Sequence, residues 1–265
     1  MGFSEHMKKA SLVGAFFVSV FWTLQALAFC PAAERLPLVE VARVVDGDTL
    51  RLVDGRSVRL IGINTPERSR HGRKAEAFAE AAWRHLDVLV KGNGDRVGLS
   101  VGREPQDRHG RVLAHVYDAQ GRNLEAALLA EGLGYAVAVA PNTELAGCHW
   151  AAEEHARRAG KGVWRKPALQ TAHSLRQAGF ALVGGKVERV ERNRAGFWLE
   201  LDGPLVVHVP LQAVEAFDAQ RLSALAGKTI EARGWVVDRR GRTGRKEQAR
   251  WMLRLTHPAM LSMTR

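Results

Sequence analysis

The chain is short of cysteine, short of acidic residues for its bases, and short of uninterrupted apolar sequence. Its two cysteines, Cys30 and Cys148, are too few for a Cys-based zinc site, which needs a second pair. Its main apolar run, the fifteen mostly apolar residues from Ser11 to Gln25, falls short of the roughly 20 residues that a spanning helix needs. Ten histidines occur without paired metal spacing, so each reads as an ordinary polar residue. No internal repeat links the two halves of the chain. Against 39 Lys plus Arg stand 28 Asp plus Glu, a net charge of +11. Such an excess calls for an anionic partner: nucleic acid, an anionic membrane surface or an acidic protein. What remains is ordinary, with 46% hydrophobic and 25% charged residues in 265. This balance excludes long disordered tracts and leaves room for one core or two small ones.

Lys8 and Lys9 precede the apolar run, and Ala26-Leu27-Ala28 follows it. This is the layout of a secretory signal peptide over residues 1–28, with a start at Met1 or Met7. Phe29 is too large to stand before a lipidated Cys30. The expected location is therefore periplasmic or secreted, with no stable membrane insertion after cleavage. In an oxidising compartment Cys30 and Cys148 read as a disulfide, with a pair of buried thiols as the alternative.

From Val39 to Ile63 the sequence VEVARVVDGDTLRLVDGRSVRLIGI alternates with period two around Asp46-Gly47 and Asp54-Gly55, predicting a three-stranded meander. Phe78, Ala82, Leu86 and Leu89 recur at helical spacing. Strands are predicted at Asp95 to Val101 and Arg111 to Tyr117, then a short helix capped by Asn123. A third helix is predicted from Asn142, with Leu145, Cys148 and Ala152 on one face. Pro167 and scattered polar residues mark a linker, 168–178, between a unit at 29–167 and a second at 179–258. The second unit shows five short strand patterns and a helical stretch near Ala213 to Leu225, as a small β-barrel would. Its loop carries Arg239, Arg240, Arg242, Arg245 and Lys246 against the one acid Glu247. With Trp235 and Trp251 nearby, that composition suits backbone contacts and base stacking; a solvated hairpin over core tryptophans is the alternative.

Phosphodiester hydrolysis needs a carboxylate near an attacking water, cations near the phosphoryl oxygens and often a bridging metal ion. Residues of each type lie at predicted turns and strand ends. Asp48, the Asn64 side chain and the Thr65 carbonyl are hard oxygen donors, which favour Ca²⁺ over Zn²⁺. Arg59 sits between apolar neighbours in VRLIGI, where a guanidinium needs an anionic partner. Within the chain, Asp46 and Asp48 are the candidates for a salt bridge.

The ordered motifs VVDGDTLRL, VRLIGINTPE and DRHGRVLAHVY resemble the staphylococcal (thermo)nuclease family over Val39 to Lys166. The resemblance implies an α+β fold: a five-stranded OB-like barrel with three helices. The second unit looks like a further small OB-like barrel. It also implies Glu67 as general base, Arg59 and Arg111 as transition-state cations, and Asp48, Asn64 and Thr65 as Ca²⁺ ligands. Arg108 and His109 would touch substrate. The implied activity is unspecific DNA or RNA cleavage leaving a 3′-phosphate, by a chain expected to be monomeric. Two departures stand out. Asn64 replaces an acid, so metal binding is expected to weaken, and Val137 and Val139 replace tyrosines that line the nucleotide pocket. His109, also at a tyrosine position, either compensates in part or has no role. A catalytically weak or inactive nucleic-acid-binding module is the alternative function, and a cell-envelope-binding protein a third.

Overall fold

The computed structural model describes residues 29–69, 72, 74–240 and 249–263. The signal-peptide segment and Arg242, Arg245 and Lys246 lie outside them. Among the described residues no helix is long and apolar enough to cross a membrane.

The meander forms as its alternation predicts. Strands β1 (Leu38–Asp46), β2 (Thr49–Leu52) and β3 (Ser57–Leu60) pair antiparallel, with Val41 opposite Leu52 and Leu50 opposite Val58. Two residues beyond, β4 (Ile63–Asn64) leaves the sheet, and helix α1 (Ala79–Gly92) follows. Strands β5 (Arg96–Gln106) and β6 (Val112–Tyr117) complete a closed barrel in the order β1-β2-β3-β6-β5. The parallel β3–β6 pairing sets Arg59 opposite Leu113. Helix α2 (Leu124–Ala130) begins where Asn123 accepts the Ala126 N–H at 2.8 Å. Strand β7 (Tyr135–Ala136) pairs with β4, and α3 (Ala146–Arg158) closes the unit. Leu50, Leu52, Val58, Leu60, Leu86 and Leu128 are buried together inside. Each such leucine contributes about 1.5–3 kcal/mol of burial.

Three local expectations are corrected. Phe78 is not on the core stripe of α1 but precedes it at φ 69°, packed on the cluster of Ala156, Val163, Trp164 and Leu182. Helix α3 starts at Ala146, four residues after Asn142, whose side chain instead bridges the backbone of Glu104 at 2.9 Å both ways. The stretch predicted as a linker contains β8 (Leu169–Thr171), paired parallel to β9 (Gly179–Asn193).

The second unit continues with β10 (Gly196–Leu201), β11 (Leu205–Pro210), two short helices α4 (Val214–Phe217) and α5 (Ala219–Ser223), β12 (Thr229–Asp238) and β13 (Trp251–Arg254). Strand β14 (Leu261–Met263) extends the sheet past residue 258. Pairing of β12 with β9 closes β9-β10-β11-β13-β12 into a second barrel.

The two barrels share a core. Val137, Ala138 and Ala146 of the first bury among Val183, Ile230 and Leu253 of the second. Across the same seam Arg233 of β12, 2% exposed, donates to both oxygens of Glu153 on α3 at 2.7 and 2.5 Å. Arg157 of α3 meets Glu231 of β12 in a bidentate pair, both bonds 2.9 Å. Cys30 and Cys148 are disulfide-bonded across 118 residues, tying the N-terminal arm to α3. In the chain-entropy account, a loop of that length is stabilised by about 4–5 kcal/mol.

Candidate active site on the rim of the first barrel

The tight β1–β2 turn places Asp48 at the barrel rim. Gly47 is required there, because a Cβ would lie 2.6 Å from the Ala82 methyl and 2.8 Å from Thr65 Oγ1. Asp48, 7% exposed, accepts the Thr65 N–H at 2.8 Å and the Thr65 hydroxyl at 3.0 Å through Oδ2. The Thr49 hydroxyl donates to Oδ1 at 3.2 Å. These bonds lash the β2 turn to the segment after β4, so Asp48, Asn64 and Thr65 come together although seventeen residues separate the ends.

Arg59 reaches into this corner from β3. Its Nη1 forms an ion pair with Asp48 Oδ2, and its Nη2 donates to Asn64 Oδ1 at 3.1 Å. Of the two carboxylates considered from sequence, Asp48 forms this ion pair, and Asp46 acts on Arg59 through its charge. Burial, then the charge of Arg111, lower the Arg59 guanidinium to about 10, while Asp46, Glu67 and Asp107 act to raise it. Arg59 thus feels the charges of Glu67, Asp107 and Arg111 as well as those of its direct partners.

Arg111 stands at the start of β6, after a turn built by Asp107. That carboxylate accepts the backbone N–H of His109 at 2.8 Å and of Arg111 at 3.0 Å, and pairs with Arg111 Nε at 2.6 Å. Gly110, at φ 73°, makes the reversal. Burial works against the Asp107 charge, but the Arg111 and His109 hydrogen bonds prevail and hold its carboxyl below the ordinary value. Arg108 Nε donates to His109 Nε2 at 3.1 Å on the same exposed turn. Glu67 is exposed, and its backbone is fixed by bonds with Glu76: Glu67 N–H to Glu76 Oε2 at 3.0 Å and Glu76 N–H to Glu67 O at 2.9 Å. Arg68 lies over the Trp83 ring at 4.4 Å and donates to the Val45 carbonyl, bracing this segment against α1.

The donor set fits a divalent cation. Asp48 and Asn64 aim their side-chain oxygens at one guanidinium, so hard oxygens already converge on a positive charge, with Thr65 adjacent.

The second barrel corrects its predicted surface in part. Trp251 is core, 1% exposed, with Arg250 over its ring. Trp235 is 41% exposed and lines a cleft between the barrels with Val139, Pro141, Arg254 and His257. Val137 is buried, whereas Val139 is open to this cleft. Arg240 pairs with Asp238, and Arg239 lies over Trp198, which stacks on His208 at 4.0 Å. These contacts of Arg239 and Arg240 are made within the second barrel.

Sequence reasoning missed the Trp198 and His208 stack and the seam residues Glu153 and Arg233. It also missed that His115, Glu125 and His149 meet inside the first unit. A signal existed for part of this: His149 and Glu153 occupy the buried stripe of α3 with Ala152 and Ala156.

Comparison with known proteins agrees with the geometry. Residues 57–166 match the family model described as staphylococcal nuclease homologue. The chain is 32% identical to a thermonuclease of Staphylococcus intermedius over 129 residues, 48% of this chain and 75% of that protein. It is 32% identical to a thermonuclease of Staphylococcus hyicus over 136 residues, 47% of this chain and 74% of the other. It is also 30% identical to Endonuclease YhcR of Bacillus subtilis (strain 168) over 148 residues, 51% of this chain but 12% of that larger protein. With the barrel, the rim residues and these matches in agreement, the chain belongs to the staphylococcal nuclease family.

Proposed function

We propose that the chain is an exported Ca²⁺-dependent nuclease that hydrolyses DNA or RNA phosphodiester bonds. The observation that carries this reading is Arg59, held between Asp48 and Asn64 and within the fields of Glu67, Asp107 and Arg111. Asp48, Asn64 and Thr65 would hold Ca²⁺, which supplies Lewis-acid stabilisation of phosphoryl oxygen charge. Glu67, exposed beside this corner, takes the proton of the attacking water as its oxygen bonds to phosphorus. Arg59 and Arg111 donate N–H groups to the non-bridging oxygens as negative charge accumulates there. Asp107 orients Arg111 through Nε and leaves its terminal nitrogens for substrate. The bond from phosphorus to the 5′ oxygen breaks, that oxygen is protonated from solvent, and the phosphate remains on the 3′ side.

Arg108 and His109 meet the strand at the same turn. In place of the family's tyrosines, Trp235 of the second barrel offers a stacking face beside Val139. Arg239, Arg240 and Trp198 extend the surface for an anionic strand. The Cys30–Cys148 bond supports an oxidising, extracytoplasmic location. A monomer suffices, because every group invoked comes from one chain.

The test follows cleavage of a labelled single-stranded oligonucleotide by residues 29–265 with Ca²⁺ or chelator, beside Glu67→Gln. Cleavage that requires Ca²⁺ and collapses in the variant supports the nuclease. Binding without cleavage under any divalent ion supports the second reading, a nucleic-acid-binding module. The specific observation in favour of that reading is Asn64, which removes one negative charge from the donor set.

A further inference from the structure

His115 of β6, Glu125 of α2 and His149 of α3 are 6%, 0% and 1% exposed. One ligand atom from each lies within 4.8 Å of the others. The cluster is on elements other than those that carry Asp48, Asn64 and Thr65, and the proposed chemistry does not use it. Both ring nitrogens of His115 and Nδ1 of His149 are buried without a hydrogen-bond partner. Three such atoms in one place are costly to the fold if nothing binds them.

The surroundings are arranged as a ligand shell. Glu125 Oε1 accepts the Val116 N–H at 2.9 Å and Oε2 accepts from Asn123 Nδ2 at 2.6 Å, which fixes the carboxylate plane. Asn123 Oδ1 lies 3.0 Å from His149 Nε2, a hydrogen bond that occupies that ring nitrogen and leaves Nδ1 as the unpartnered ligand atom. His115 Nδ1 stands 3.8 Å from Glu125 Oε1, close to the edge of about 3.4 Å in a tetrahedron with ligand bonds of about 2.1 Å. Two imidazoles and a carboxylate form a nitrogen-rich set that favours zinc over calcium. Gly62 leaves room for this arrangement, since a Cβ there would lie 2.1 Å from His149 Nδ1.

We propose that His115, Glu125 and His149 form a buried structural site for a zinc-class divalent ion, separate from the rim site. Its role is to join β6, α2 and α3, which share an apolar core but bury unpartnered polar atoms of His115 and His149 between them. The electrostatics agree. Burial pushes the Glu125 carboxyl up and the His115 and His149 rings down. A divalent ion returns Glu125 to a carboxylate and needs both rings unprotonated, the state that burial already favours.

Because the site is closed, the ion enters during folding. The test unfolds the disulfide-intact chain and refolds it with Zn²⁺ or with chelator, then measures retained zinc after desalting and Tm. We expect one zinc per chain, retained in the presence of excess Ca²⁺. With zinc at about 100 times its Kd, Tm should rise by about 5–10 °C. Glu125→Gln and His115→Phe should each abolish retention. If neither variant folds, Co²⁺ in the wild type decides: tetrahedral visible absorption supports the site, and octahedral absorption overturns it. No retained zinc and an unchanged Tm in the wild type overturn the proposal, as does equal retention by both variants. Zinc uptake only after thiol reduction also overturns it, since Cys30, Cys148 and His149 would then be the ligands.

Discussion

On the barrel rim, 13% of the Arg59 and 34% of the Arg111 side-chain surface still reaches solvent, and their partners are Asp48, Asn64 and Asp107. At the seam, Arg233 closes on Glu153 with 2% and 0% of their side chains exposed. The residue types are the same, but the remaining valence differs. Rim guanidiniums keep solvent-facing N–H groups that an incoming phosphate can take up. The seam arginine is enclosed by two carboxylates, the Ala136 carbonyl and the face of Trp150. An arginine becomes a substrate contact where its neighbours leave it incomplete, and a structural one where they complete it.

The largest separation of the two clusters should come from Glu67→Gln, which we expect to lower the cleavage rate by about 10²–10⁴-fold with Tm unchanged, in single-turnover assays beside thermal melts. Arg233→Ala should do the reverse. Leaving Glu153 buried and unpaired costs about 3–5 kcal/mol, read by denaturant unfolding, while the folded fraction keeps its cleavage rate. Cys148→Ser should cost about 2–5 kcal/mol by the same measurement, again without changing the chemistry. Trp235→Ala should weaken single-strand binding by about 1–3 kcal/mol in fluorescence titrations and leave the rate at saturating substrate alone. If it lowers that saturating rate instead, the cleft belongs to the catalytic machinery and the comparison blurs.

The smallest effect is on pH dependence. Burial opposes the Glu231 charge, but the Arg157 hydrogen bonds outweigh it and hold the carboxyl below its usual 4.5. A depressed folded value means stability that is full above pH 4.5 and lost as pH falls through the folded value. Glu231→Gln should flatten that acid limb in melts from pH 7 to pH 3; an unchanged limb would place the titration elsewhere.

The rim was legible because its parts are local. A turn, a strand end and a β-turn each announce themselves within ten residues, and the resemblance supplied their convergence. The meander was legible from period two, and the five strands of the second unit from strand-like runs separated by turn signals. The seam was not, because Glu153 and Arg233 are 80 residues apart and each looks like a surface charge in its own window. Strand β12 turns Ile230, Ala232 and Val236 into its barrel, which puts Glu231 and Arg233 on the face that only the packing of α3 makes interior. The same holds for His115 and His149, which share no spacing and meet only when β6 and α3 pack. Asn142 looked like a helix start but serves the backbone of β5 at Glu104, a contact across 38 residues.

The shared core bears on how the gene can be cut and recombined. A stop codon after residue 167 would look, on the sequence, like the clean removal of an accessory module. It would strip β12 from α3, uncover Val137, Ala138 and Ala146, and leave Glu153 facing a vacated space. The second barrel is therefore a wall of the house that holds the catalytic room, and transplanting either barrel alone requires rebuilding that wall.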